Sequence, residues 1–154
     1  MSTDAWDVLQ LASRYADAVS RGDVHEAVQV YAPDGVLETP TTEPARGREQ
    51  IEELITRTTS GLELVFQSVH LGVVILSGDT ATARVPITEW ARRAADQQPL
   101  LFLGWYEDEA RRSAGGWELV RRRLVPRTLG KPEFLDGVLH PTSALQLSVE
   151  VEPA

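Results

Sequence analysis

The sequence predicts one α+β domain in which three helices lead into a curled antiparallel sheet. Three observations carry that expectation. Apolar residues recur at three- and four-residue steps as far as Thr58, they alternate from Leu62 onward, and the alternating runs are joined by hairpin-length connections. Residues 3 or 4 to 21 read as the first helix, with Trp6, Leu9, Ala12, Tyr15, Ala16 and Val19 on its apolar face and Gly22 as its stop. Asp23 with Glu26 three residues later is a capping pattern for a second, short helix through Tyr31, ended by Pro33-Asp34-Gly35. A short strand at 36–39 and a loop rich in Thr and Pro precede a third helix at 48–58, marked by Ile51, Leu54 and Ile55. Four strand runs follow, at 62–76, 80–92, 100–111 and 117–125. Gly72 inside the first of them predicts a bend of the kind that lets a long sheet curl around a cavity. Beyond Pro126 glycines and prolines break every period. Residues 1–126 are therefore the expected domain and 127–154 a C-terminal extension of it, with one further strand at 145–151.

Composition narrows the classes of function. The 154 residues suit one domain, and 42% hydrophobic with 25% charged residues is ordinary for a folded protein. Fifteen Lys and Arg against 23 Asp and Glu give a net charge of -8, a field that repels nucleic acid and anionic lipid. With no Cys there are no disulfides, thiolate nucleophiles or thiolate-held metals. The three histidines, His25, His70 and His140, are too dispersed to predict a metal site. The start carries no basic segment followed by an apolar run, and no stretch approaches the length of a membrane span, so the expected location is cytoplasmic.

The element order, with Arg14-Tyr15-x-x-x-Val19-x-x-Gly22-Asp23 and then Tyr31-Ala32-Pro33-Asp34-Gly35-Val36, resembles the nuclear transport factor 2-like superfamily. The stretches Ser77 to Ala83, Gly104-Trp105-Tyr106-Glu107-Asp108 and Gly115-Gly116-Trp117-Glu118-Leu119, followed by Arg123, resemble its SnoaL-like branch, and the likeness covers residues 5–126. It implies a cone: helices closing one side of a curved antiparallel sheet whose hollow holds a small, largely apolar ligand. The function it implies is cofactor-independent acid–base chemistry, by a cyclase, dehydratase or isomerase, on a small hydrophobic oxygenated molecule such as a polyketide- or terpenoid-like metabolite. The alternative is a non-catalytic small-molecule binder or assembly subunit. Catalytic positions match only in part. Tyr15 falls where ketosteroid isomerase keeps its oxyanion-donating tyrosine, but the aspartates of that enzyme align with Thr39 and near Leu103 or Gly104. His70 falls where scytalone dehydratase and a dehydrochlorinase keep a histidine, whose partner aspartate aligns near Ser20; the polar pair of limonene epoxide hydrolase falls near Val85 and Ile87.

These readings give a candidate set. His70 sits in an apolar run on one face with Ser68 and Gly72; turned inward it is a proton-transfer group that titrates near neutrality, and otherwise a core histidine. Glu89 shares a strand face with Val85 and Ile87, which carries a carboxylate to the inner wall as acid, base or orienter of His70, or to a solvated strand end. Tyr15 is a cavity donor or a packed core ring. Phe102, Tyr106, Val85 and Ile87 are the expected substrate-binding wall. Arg121 and Arg123 share a face opposite Arg122, and either hold an anionic group of the substrate or pair with neighbouring carboxylates. Asp17, His25 and His140 are expected at the surface. With Val85, Ile87 and Glu89 inward, Arg84, Thr88 and Trp90 face outward, and that outer face is the expected interface of a homodimer.

Overall fold

The computed structural model describes residues 3–132. Helix α1 (Thr3–Ser20) buries Val8, Leu9, Leu11, Ala12, Tyr15, Ala16, Ala18 and Val19, while Trp6, expected on that face, stays half exposed. Gly22, at φ 77°, makes the left-handed turn that stops the helix. Asp23 then accepts from the Glu26 backbone N–H at 2.9 Å and caps α2 (Val24–Ala27), which a single 3-10 turn (Val28–Val30) extends.

Strand β1 (Tyr31–Glu38) starts earlier than the sequence suggests. Pro33-Asp34-Gly35 forms an irregularity inside the strand, between Tyr31 and Val36, rather than a turn before it. A two-residue strand, β2 (Ala45–Arg46), leads into α3 (Gly47–Thr59), which buries Ile51, Leu54 and Ile55. Arg48 ties α3 to β1 by donating from Nε and Nη2 to the Tyr31 carbonyl, at 2.8 and 2.6 Å.

The remaining strands are β3 (Leu62–Val69), β4 (Val73–Ser77), β5 (Thr80–Arg93), β6 (Pro99–Ser113) and β7 (Gly116–Gly130). They form one seven-stranded curved sheet in the order β2-β1-β7-β6-β5-β3, with β4 also on β5. All neighbours are antiparallel except β1 and β7, so the sheet is mixed where the sequence predicts a wholly antiparallel one. The α+β cone stands: helices cover the concave face and the convex face carries none. Strand β7 runs four residues past Pro126, to Gly130, so the strand crosses the expected domain boundary. The expected strand at 145–151 and His140 lie outside the described residues. No helix among the described residues is long and apolar enough to cross a membrane.

The long run at 62–76 divides into β3 and β4 at Gly72, as its glycine predicts. A Cβ at Gly72 would stand 2.6 Å from the Arg84 carbonyl oxygen and 2.9 Å from Val85 Cγ2, so only glycine lets the chain bend this close over β5. Gly72→Ala is expected to cost about 1–3 kcal/mol in urea unfolding, the scale of overpacking a tight contact. An unchanged midpoint would show that the bend has room to spare.

Candidate active site

Strand parity decides which side chains reach the concave face, and bulges at Glu63 in β3 and at Val120 and Arg127 in β7 reset it. In β3, Leu62 pairs Arg93 and Leu64 pairs Arg92, leaving Glu63 as an extra residue. Beyond it Val65, Gln67 and Val69 face inward, opposite Ala91, Glu89 and Ile87, whereas Phe66, Ser68 and His70 face outward with Trp90 and Thr88. In β7, Glu109 pairs Arg121 and Ala110 pairs Leu119, leaving Val120 extra. Trp117 and Leu119 point inward before that bulge, and Arg122 and Leu124 after it.

α1, α3 and the concave sheet face enclose a hollow of about 260 Å³. Its walls are mainly apolar, with Val19, Leu37, Leu54, Ile55, Ile87 and Phe102 prominent, and besides the threonines at its rim Tyr15, Gln67, Glu89 and Tyr106 line it. Gln67 joins two of the others. Its Nε2 donates to Glu89 Oε2 at 2.6 Å, and its Oε1 accepts from the Tyr106 hydroxyl at 3.0 Å. The strand under Gln67 is pinned by Ser20, whose Oγ accepts from the Gln67 backbone N–H at 2.8 Å while donating to the Ala16 carbonyl at 2.7 Å. Thr58 and Thr59 of α3 also line the hollow, with their hydroxyls donating to carbonyls of their own helix. The Tyr15 hydroxyl has no hydrogen-bond partner among the described residues.

Behind the two tyrosines lies Arg122, 0% exposed, with Asp108 at 3%. Its Nε and Nη2 donate to the two carboxylate oxygens of Asp108 at 2.8 and 2.7 Å, a bidentate pair. The guanidinium stacks 3.9 Å from the Tyr106 ring centre and 4.7 Å from that of Tyr15. Tyr15 in turn meets Tyr106 and Tyr31 edge to face, with ring centres 5.9 and 6.1 Å apart. Arg122 Nη1 and the Tyr31 hydroxyl are buried with no hydrogen-bond partner among the described residues.

The surroundings set the proton affinities. Burial pushes the Glu89 carboxyl above its ordinary value, and the hydrogen bond from Gln67 draws it part of the way back. Burial also pushes the Tyr15 phenol up to about 12, with the Arg122 charge opposing, and holds Tyr106 well above its ordinary value. Both phenols are therefore neutral donors at physiological pH. Burial opposes the charge on Arg122, but Asp108 overcomes it and leaves the guanidinium a firmer acceptor of its proton than free arginine.

The expected site residues divide accordingly. Tyr15, Glu89, Phe102, Tyr106 and Ile87 meet in the hollow. Val85 is inward but lies in the core, at the floor of a separate small cleft. His70 is not in the hollow. It is exposed beside that cleft, with Trp6, Leu9 and Gln10, and its Nε2 lies 3.2 Å from Thr88 Oγ1, so the inward orientation expected of it is corrected: inward Ile87 and Glu89 fix inward Val69 and Gln67, which turns His70 out. Arg121 and Arg123 are likewise on the convex face, where Arg121 pairs Glu38 and Glu109, at 2.9 and 3.1 Å, and Arg123 pairs Glu107. Ion pairing is thus their observed contact, and the Val120 bulge is why Arg122 takes the inward place. Asp17 and His25 are at the surface, paired with Arg21 and Glu52. Gln67, Asp108 and Arg122 escaped the sequence reading; Tyr106-x-Asp108 on one strand face was the available signal for the second of them. Among the described residues no cluster of His, Asp and Glu is arranged to hold a metal ion.

The SnoaL-like domain family matches residues 1–123. The chain belongs to the SnoaL-like family. A protein of Mycobacterium tuberculosis strain H37Rv, Rv2910c, is similar at 26% identity over 122 residues, covering 78% of this chain and 83% of the relative. Among solved structures, a ketosteroid isomerase-like protein from Erwinia carotovora atroseptica is similar with a TM-score of 0.72 and 20% identity, over 83% of this chain and 99% of the other. A hexachlorocyclohexane dehydrochlorinase superposes with a TM-score of 0.76 and 13% identity, over 87% and 90%. At such identities the structural neighbours establish the fold alone.

A pH signature follows from the raised Glu89 carboxyl. The folded protein keeps the Glu89 proton to higher pH than the unfolded chain, so this group favours the folded state below its unfolded value, and the contribution is lost as pH rises through the folded value. The melting-temperature difference between Glu89→Gln and the natural protein is therefore expected to be more positive at about pH 8 than at about pH 4, where both forms are neutral. A difference that is flat, or that grows toward acid, would contradict a desolvated carboxyl.

Proposed function

We propose that the hollow is an acid–base active site acting on carbon next to a carbonyl, with Glu89 as the proton-transfer group and Tyr15 as the donor to the oxygen that becomes negative. The carrying observation is that a desolvated carboxyl and an unpartnered phenol line the same small, mainly apolar hollow. In its ionised form Glu89 takes a proton from the α-carbon of a ketone or enone, and the Tyr15 hydroxyl hydrogen-bonds the resulting enolate oxygen. Return of the proton at another carbon gives isomerisation. Loss of a β-hydroxyl gives dehydration, and attack by the enolate carbon on a second carbonyl gives cyclisation. A carboxyl with raised proton affinity is suited to both halves of such a cycle, because its protonated form survives long enough to give the proton back.

The volume limits the substrate. About 260 Å³ lies below the usual range of roughly 300–1,000 Å³ for drug-sized ligands, which favours a compact molecule of one or two rings, such as a small polyketide- or terpenoid-like metabolite. The rival reading, a non-catalytic carrier, calls for an apolar cavity, and the convergence of Tyr15, Gln67, Glu89 and Tyr106 weighs against it.

The test is exchange of α-hydrogens for deuterium in a panel of mono- and bicyclic ketones and enones, followed by proton NMR. Glu89→Gln is expected to lose about 10²–10⁴-fold of the catalysed exchange. Tyr15→Phe should lose about 10²–10³-fold. His70→Ala, outside the hollow, should retain the full rate. Exchange that persists in Glu89→Gln, or that vanishes in His70→Ala, would overturn the assignment.

For assembly we propose that a second copy of the chain covers the convex sheet face. Phe66, Val73 and Ile75 are exposed there beside rows of both signs, Arg84, Arg121 and Arg123 against Glu107 and Glu109. The charges are paired with one another within the chain, so the exposed apolar side chains between them are what a copy across a twofold axis would cover. Light scattering at micromolar concentration is expected to give twice the chain mass, and Phe66→Lys with Ile75→Lys the single mass. A natural protein that stays monomeric on concentration would contradict the pairing.

A further inference from the structure

The hydrogen-bonded chain from Tyr106 through Gln67 to Glu89 has two self-consistent polarities, one for each protonation state of Glu89. An ionised carboxylate only accepts, so it draws the amide N–H₂ of Gln67, which leaves the amide oxygen facing Tyr106 and makes Tyr106 the donor. A half-turn of the amide reverses every member: a protonated Glu89 donates to the amide oxygen, the amide N–H₂ donates to the Tyr106 oxygen, and the Tyr106 proton is released. The structure holds the first polarity, with Gln67 Nε2 2.6 Å from Glu89 Oε2 and the Tyr106 hydroxyl 3.0 Å from Gln67 Oε1, and the second needs only the amide half-turn and a proton on Glu89.

We propose that Gln67 is a positioning residue that couples the proton on Glu89 to the direction of the Tyr106 hydroxyl, so that Tyr106 donates into the hollow only when Glu89 carries a proton. With its oxygen accepting from Gln67, the Tyr106 hydroxyl is free to donate toward the hollow that Tyr106 lines. The other neighbours of Glu89 do not compete for this role. Tyr15 of α1 faces the same hollow as a neutral phenol; α3 contributes Leu54, Ile55, Thr58 and Thr59, and β7 contributes Leu124 and Leu129, none of them ionisable. Arg122 and Asp108 lie behind the Tyr106 ring and are paired with each other.

This inference rests on the acid–base reading of the hollow and extends it. When Glu89 takes a proton from the substrate carbon, the carbon–hydrogen electron pair moves to the carbonyl oxygen, the amide reverses, and Tyr106 joins Tyr15 as a second donor to that oxygen. Proton removal and stabilisation of the new anion then occur together. When the proton is returned, Tyr106 turns back to Gln67 and the product oxygen is released.

The experiment is a pH titration of isotopically labelled full-length protein by NMR, following the Glu89 carboxyl carbon, the Gln67 side-chain amide and the Tyr106 ring carbon that bears the hydroxyl. All three are expected to move in one step at the Glu89 transition. The Tyr106 step should vanish in Glu89→Gln and fall to a small fraction of its size in Gln67→Met, which keeps the length of the side chain without either polar atom. A Tyr106 signal that stays still through the Glu89 transition of the natural protein overturns the coupling, with no variant needed. A step of full size in Gln67→Met overturns the role of Gln67. Loss of the proposed catalytic role is separately visible, because deuterium exchange that survives Glu89→Gln removes that role while leaving the NMR steps to be read on their own.

Discussion

The buried pair of Arg122 and Asp108 is the constraint on which the concave face depends. It joins β6 to β7 at the register position where the two residues stand opposite one another, and its guanidinium covers the rings of Tyr15 from α1 and Tyr106 from β6. Removing either partner would leave an uncompensated charge in the core, a loss of about 3–5 kcal/mol, whereas a well-packed apolar replacement of the whole pair is often neutral. Stability alone is thus a weak reason for such a pair. Its consequence here is geometric: two phenol rings are clamped against a flat cation, and their hydroxyls are left to face Gln67 and the hollow.

Much of the architecture was legible because local chemistry is explicit in this chain. The apolar steps of α1 and α3, the Asp23 cap, the Gly22 stop and the Gly72 bend all stand where their residues suggest. Glu89, Ile87, Phe102 and Tyr106 were legible for a related reason, since β5 and β6 pair without interruption from Thr80 to Arg92 and plain alternation holds throughout. The parallel pairing of β1 with β7 left no local trace, because it joins segments at opposite ends of the domain.

What was not legible turned on bulges. One extra residue moves every later side chain to the other face, and no residue type announces it. Glu63 and Val120 are such residues, and between them they govern His70, Gln67, Arg121, Arg122 and Arg123. A histidine and two arginines with attractive chemistry therefore sit outside, on Thr88 and on surface carboxylates, while a glutamine and an arginine that looked ordinary occupy the interior. The inward placements of His70 and Glu89 were never compatible, because Gln67 pairs Glu89 and a residue three further along the same strand must face away.

The hollow acts on its polar groups through one common influence, the exclusion of water. Its walls remove water from Glu89, its tyrosines are too firmly protonated to be anything but donors, and Ser20 fixes the backbone of the residue that links them. The most direct check on that account is a crystal structure with 4-nitrophenol, whose ring and oxygen imitate a cyclic enol. The phenol oxygen is expected within hydrogen-bond distance of Tyr15, with the ring against Ile87 and Phe102 and the Glu89 carboxyl beside it. A phenol seated in the cleft next to His70, with the hollow unfilled, would contradict the account.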